Sequence, residues 1–291
     1  MGEDGSRAGG EDGPCVAVAV GNPDHVEQLV RTALDVARAR DGSVFVVGVV
    51  VTPRSSPFAL MTDEVIAREF GGERRAILER AMEAAAGTDV PVGGRLFVAP
   101  SVWRGVLHGI EERDCEALVV GWQERSREAA VLGTNVDRIV SRADADVLVE
   151  KIGATVGTVK TVRFPVAESP HADLAAEVAR AIAVSNDADL HLLRVADSPG
   201  EEGRAREMLG EFAERFPGLS VETTVRVGGV ADVVVAESSP NDVTVLGATR
   251  TGRIRSRVVG DTPHEVSRRA EGSVVVARRN RGSRLPRLFR L

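Results

Sequence analysis

Tyrosine is absent, aromatic residues make up 3% of the chain, and only Lys151 and Lys160 are lysines among 37 cationic side chains. So few aromatics leave little surface on which single-stranded bases could stack, and a net charge of −6 argues against general nucleic-acid binding. The bias toward arginine reflects source composition before it reflects function. Cysteine is nearly absent too. Cys15 and Cys115 lie 100 residues apart with no Cys-x-x-Cys and no neighbouring histidine, which points to two small core residues and not to a disulfide framework or a zinc knuckle. No apolar run approaches the roughly 18 to 20 residues of a membrane span, and the first residues are neither basic nor apolar, so the expected compartment is the cytoplasm.

Several catalytic signatures are missing as well. The loop after the first apolar run reads Gly21-Asn22-Pro23-Asp24 and not Gly-x-Gly-x-x-Gly, and neither lysine follows a glycine loop as a phosphate-binding lysine does. Gly-x-Ser-x-Gly, His-x-x-x-His and His/Cys clusters do not occur. Covalent and metal-dependent hydrolysis have no candidate residues, which makes an enzyme the less favoured reading.

What the chain does contain is alternation. With 291 residues and 43% hydrophobic content it has the length of about two domains. Buried-strand runs such as Cys15–Val20, Val44–Val51, Ala117–Gly121 and Asp146–Glu150 alternate with helix-period stretches such as His25–Arg40, Val102–Glu112 and Thr134–Arg142. A helical stretch from Asp63 to Ala86 is interrupted at Gly71-Gly72, and Arg95–Ala99 is a further strand. After a small-residue linker at 151–157 the same order restarts, with strands at Val162–Val166, Leu190–Val195, Val221–Val227, Val243–Gly247 and Ser273–Ala277. Val20, His25, Asp41 and Val49 match Val166, His171, Asp187 and Val195 at an offset of 146, and Gly121 matches Gly247 at 126. From Gly133 onward the offset is 127. Constant offsets separated by loop-sized indels indicate an internal duplication. The expected fold is α/β: two tandem doubly wound, Rossmann-like domains, each with a five-stranded parallel sheet. The expected division is an acidic disordered leader at 1–13, domains at 14–151 and 158–279, and a basic tail at 280–291.

In such a sheet, ligands bind beyond the carboxyl ends of the strands where the strand order reverses, here the loops after strands one and four of each repeat. In the first repeat these hold Gly21, Asn22, Gly121, Arg125, Arg127, Gly133, Thr134 and Asn135. Gly133 and Thr134 open a helix, where backbone N–H groups and the positive helix end suit an anion, and Arg125 and Arg127 add charge. Equally open is a tight turn at Gly133 with Thr134 as an N-cap. In the second repeat the loop holds Gly247, Arg250 and Gly260, within a run rich in arginine, while Asp261 at the helix start opposes a phosphate or serves as a cap. His25 and His171 sit at equivalent helix starts, which suggests inherited capping, and Trp103 and Trp122 read as packing anchors.

The signatures Val-Ala-Val-Gly-Asn-Pro-Asp-His25 and Phe-Pro-Val-Ala-Glu-Ser-Pro-His171, with a Val-Val-Gly or Val-Leu-Gly strand leading through a long loop to Gly133-Thr134 or Gly260-Asp261, resemble the universal stress protein family. Two tandem copies cover about residues 14–279, and Val119-Val-Gly-Trp and Val245-Leu-Gly-Ala-Thr-Arg250 are similar to the cytosolic stress domains attached to archaeal amino-acid and cation transporters. The resemblance implies pairing of the last strands of the two copies. In the family's ATP-binding branch it implies an aspartate ending strand one and a Gly-x2-Gly-x9-Gly-(Ser/Thr) loop. This chain has Gly21 and Ala167 at the aspartate position, Glu124 and Arg250 at the second glycine, and Asp261 at one hydroxyl position. Losing the aspartate removes an adenine anchor, and Glu124 restricts backbone approach and adds like charge.

Two functional classes follow. One is a non-enzymatic stress-response regulator whose paired domains act through a protein partner or as a homo-oligomer. The other is a sensor of ATP, AMP or another anion using the first repeat. Residues 278–291 carry six arginines among leucines and a phenylalanine, suited either to a membrane surface or transporter or to a solubilising tail.

Overall fold

The computed structural model describes residues 13–52, 61–122, 134–153, 158–240, 242–249 and 259–280. The first repeat runs β1 (Cys15–Ala19), α1 (Val26–Arg38), β2 (Ser43–Val51), α2 (Asp63–Phe70), α3 (Gly72–Ala84), β3 (Val92–Ala99), α4 (Val102–Glu112), β4 (Ala117–Trp122), α5 (Thr134–Arg142) and β5 (Asp146–Lys151). The second runs β6 (Thr161–Pro165), α6 (Ala172–Asn186), β7 (Asp189–Ala196), α7 (Glu202–Ala213), β8 (Val221–Val227), α8 (Val230–Glu237), β9 (Asp242–Gly247), α9 (Asp261–Arg269) and β10 (Ser273–Arg278).

Val- and Ala-rich runs become central strands because helices cover both of their faces. Within each half the strands are parallel in the order β3-β2-β1-β4-β5 and β8-β7-β6-β9-β10, so the fold is two tandem doubly wound five-stranded units. The two units join edge to edge. β5 and β10 pair antiparallel, with Lys151 opposite Val274 and Val147 opposite Arg278, so the described strands form one sheet of ten. One face is packed by the apolar sides of α1, α3, α6 and α7, and the other by α4, α5, α8 and α9.

The duplication is visible in backbone geometry. Asp41 and Asp187, matched at an offset of 146, both take left-handed conformations, at φ 50° and 51°, in the turn after the first helix of each repeat. Strand ends shift by a residue or a few. β3 begins at Val92, and Lys151 belongs to β5 and not to the linker.

One expectation is overturned. Cys15 opens β1 and Cys115 lies just before β4, the neighbouring parallel strand, so their Cα atoms are 4.4 Å apart and the two sulfurs are bonded. A separation of 100 residues carried no hint of this, because the contact arises from the strand order alone.

The seam between the units buries charge. The Arg40 guanidinium lies 3.6 Å from Glu177, whose other oxygen accepts a 2.8 Å hydrogen bond from Arg279. The backbone N–H of Asn280 donates to Asp146 at 2.7 Å, and the Asn280 side chain donates to Asp144 at 2.6 Å. Residue 280, expected to start the tail, is therefore docked on the first repeat. Residues 1–12 and 281–291, which hold most of the leader and the tail, lie outside the described residues.

Candidate functional site

In the first repeat, β1 and β4 end side by side and present Gly21 and Gly121. The Gly21 carbonyl accepts a 2.7 Å hydrogen bond from Arg74, which reaches over from α3. Asn22 accepts a 3.1 Å bond from the Asp24 N–H and so caps a short 3-10 turn at Pro23–His25. A side chain at Gly21 would meet only Arg74 Nη1, at 3.9 Å, among the described residues, whereas one at Gly121 would press on Leu29 at 3.1 Å. Gly121 is thus required for α1 to pack against β4, while Gly21 leaves the strand end uncovered. His25 is half-buried, which holds its imidazole below the usual range and leaves it neutral at physiological pH. Asn135 is exposed in the first turn of α5, which begins at Thr134. Arg125, Arg127 and Gly133, with the Thr134 side chain, lie outside the described residues.

Among the described residues, the Arg74 guanidinium at Gly21 and the His25 imidazole beside Gly121 are polar side chains at these strand ends, and the cation suits an anion. Arg74 was not legible as a site residue, since it stands 53 residues from the carbonyl it holds.

The second repeat fills the matching place with its own chain. A Cβ on Gly247 would lie 3.2 Å from the His171 carbonyl carbon, so the start of α6 packs directly over the strand end. Ser169 Oγ donates to the Ala248 carbonyl at 2.7 Å and accepts from the His171 N–H at 3.1 Å. The Arg279 N–H donates to His171 Nδ1 at 3.0 Å, and Arg194 donates to the Val166 carbonyl at 3.0 Å. Gly260, at φ 94°, is itself the N-cap of α9, and a Cβ there would lie 1.9 Å from Thr249 Oγ1. Asp261 is therefore the first helical residue and not the cap. Arg250 lies outside the described residues.

Neither histidine caps its helix through a side chain, contrary to the expectation from their placement. They are conserved geometry within the repeat in another sense: both occupy the N-cap position, and His171 holds the segment that leaves β10. Trp122 is buried and packs against His264 at a ring distance of 5.4 Å, while Trp103 is half-buried between α4 and α5. Two described clefts of about 600 and 640 Å³ lie away from these strand ends, the first lined by Pro14, Arg38, Arg40, Ser43 and Asp89 and the second between α1 and α3.

With this geometry in hand, comparison with known proteins is informative. The universal stress protein family matches residues 16–151. Among solved structures, the chain is similar to a universal stress protein from Archaeoglobus fulgidus DSM 4304 (TM-score 0.63, 16% identity, 92% of this chain and 97% of that one). It is also similar to the cytoplasmic domain of a prokaryotic cation chloride cotransporter (TM-score 0.58, 14% identity, 91% and 95%). A third similar structure is a functionally unknown protein from Pseudomonas aeruginosa PAO1 (TM-score 0.60, 17% identity, 92% and 93%). At such identities the likeness is one of fold, and it spans both repeats. Curated protein sequences yield no significant match.

Proposed function

Residues 16–151 match the universal stress protein family, and from that match we propose that the chain is a non-enzymatic stress-response regulator acting through a protein partner. Its two domains, at 14–151 and 158–279, form an intramolecular pseudo-dimer. The observation that supports this reading is the continuous β5–β10 seam with its buried Arg40–Glu177–Arg279 group, which ties the two units into one body. The filled strand ends of the second repeat fit a structural role for that half. The working compartment is the cytoplasm, and among the described residues no helix is long and apolar enough to cross a membrane. The cotransporter domain of the same fold supports a transporter or membrane-apposed partner, met through residues 278–291.

Mass spectrometry of small molecules released from natively purified protein tests the central reading. Recovery of no stoichiometric nucleotide supports it, and tightly held ATP overturns it. Liposome co-sedimentation with and without residues 280–291 tests the tail, and equal sedimentation removes it from the proposal.

A second reading, sensing of ATP, AMP or another anion by the first repeat, is favoured by the uncovered Gly21 and the Arg74 guanidinium above it. Calorimetry at millimolar nucleotide is expected to show heat that Thr134→Asp abolishes. No heat, or unchanged affinity in the variant, rules the reading out.

A further inference from the structure

The two repeats treat one surface position in opposite ways. In the second repeat, Arg269 at the end of α9 donates to Asp232 of α8 at 2.7 Å and to Glu265, one turn back, at 3.0 Å. The cation thus has two carboxylates beside it. Helix α5 matches α9 at an offset of 127, which aligns Arg142 with Arg269 and Arg138 with Glu265. Helix α4 matches α8 at 128, starting from Val102 and Val230 and bringing the buried Val106 and Val234 into register. That aligns Arg104 with Asp232 and Trp103 with Ala231. The first repeat therefore has an arginine at the same place, arginines where the second repeat has carboxylates, and a tryptophan beneath them.

The result is a cationic platform. The guanidinium carbons of Arg104, Arg138 and Arg142 stand 5.0, 5.7 and 4.9 Å from the centroid of the Trp103 ring. All three arginines are exposed, and among the described residues none forms an ion pair, while Glu112 on the same face of the molecule is engaged by Arg95. Stacking on the indole holds the planar groups in place, but it brings three like charges together, and an incoming anion relieves the repulsion. Val102, 36% exposed, borders the patch with apolar surface.

We propose that Trp103, Arg104, Arg138 and Arg142 form a docking surface for an acidic segment of a protein partner, whose carboxylates take the places that Asp232 and Glu265 fill in the second repeat. The partner's chemistry is read from that internal template, in which carboxylates and not phosphates satisfy the arginine. The patch is only three cations wide on a chain of net charge −6, which suits a short acidic segment better than a duplex or a membrane surface. The proposal rests on the reading of partner-mediated action and gives that action a place.

The test uses the full chain and a labelled peptide of alternating glutamate and serine, followed by fluorescence polarisation. Arg104→Asp with Arg138→Glu writes the second repeat's ion pairs into the first and so preserves the fold, which circular dichroism checks. This double variant is expected to bind the peptide about tenfold or more weakly, given the strength of charge-assisted hydrogen bonds. Arg138→Lys, which keeps the charge, is expected to stay within about threefold of the parent, and a glutamine–serine peptide is expected not to bind. Equal peptide affinity in the parent and the double variant overturns the proposal, as does a parent preference for duplex DNA or phosphatidylserine vesicles over the peptide. Cross-linked capture of a cellular partner separates the two readings. Capture that the double substitution leaves unchanged overturns the docking site and spares partner-mediated action. No capture by either chain overturns partner-mediated action, and the peptide titration then decides the patch alone.

Discussion

Asn186 at the end of α6 donates a 3.0 Å hydrogen bond to the carboxylate of Asp35 in α1, joining the two repeats across 151 residues of sequence. Glu150, on β5 beneath the same helices, is fully buried. Burial pushes both carboxyls up to about 7, against smaller opposing effects of Asn186, Ser185, Arg38 and Arg31 at Asp35 and of Thr32, Gln28 and Arg31 at Glu150, where the Asp35 charge adds to the rise.

That rise sets a pH dependence. In the unfolded chain these groups lose their protons near pH 4, while in the folded chain they keep them to about pH 7. The folded state binds more protons within that window, so their stabilising contribution is complete below about pH 4 and is lost as pH rises to about 7. Glu150→Gln mimics the protonated acid. It is expected to match the parent in urea unfolding near pH 4 and to exceed it by on the order of 1–3 kcal/mol at pH 8. A variant no more stable than the parent at pH 8 contradicts the assignment.

The Arg40–Glu177–Arg279 group predicts a different outcome. Glu177 is shielded from water and serves two guanidiniums from opposite ends of the sequence. Glu177→Ala leaves both without their shared carboxylate inside the seam, at a cost of about 3–5 kcal/mol. Chemical denaturation measures the loss, and a change below about 1 kcal/mol would show the seam to be more hydrated than the geometry indicates.

The Cys15–Cys115 bond is checked by peptide mapping without reductant, which is expected to recover one cross-linked pair. It closes a long loop, so reduction or Cys115→Ser is expected to lower stability by about 2–4 kcal/mol. Two free thiols in protein purified without reductant would show that the paired strands hold the cysteines close without oxidation.

Much of the fold was legible because its signals are local. The apolar runs at Cys15–Val20 and Ala117–Gly121 are long enough for strands buried on both faces and match β1 and β4 to within a residue, and α4 begins and ends at the residues that its periodicity marks. Position-by-position matching paired Asp41 with Asp187, and the structure adds that both take left-handed conformations. The candidate site was legible only in part. The sequence places Gly21 and Gly121 at neighbouring strand ends, but it gives no sign of Arg74, whose guanidinium arrives from another helix, or of the Arg279 backbone that occupies His171.

The residue order alone thus determined the duplication, the alternation of strands and helices, and the departures from the family's nucleotide loop, since each is a matter of periodicity or spacing along the chain. Tertiary structure decided what distance along the chain conceals. It joined the distant cysteines through the adjacency of β1 and β4, and it buried Glu150 and Glu177 by closing the β5–β10 seam. It also turned two matching helix pairs into a neutralised surface in one repeat and a cationic one in the other. These outcomes depend on which surfaces face each other, and side-chain identity acquires its energy only once water has been excluded or a partner charge stands within reach.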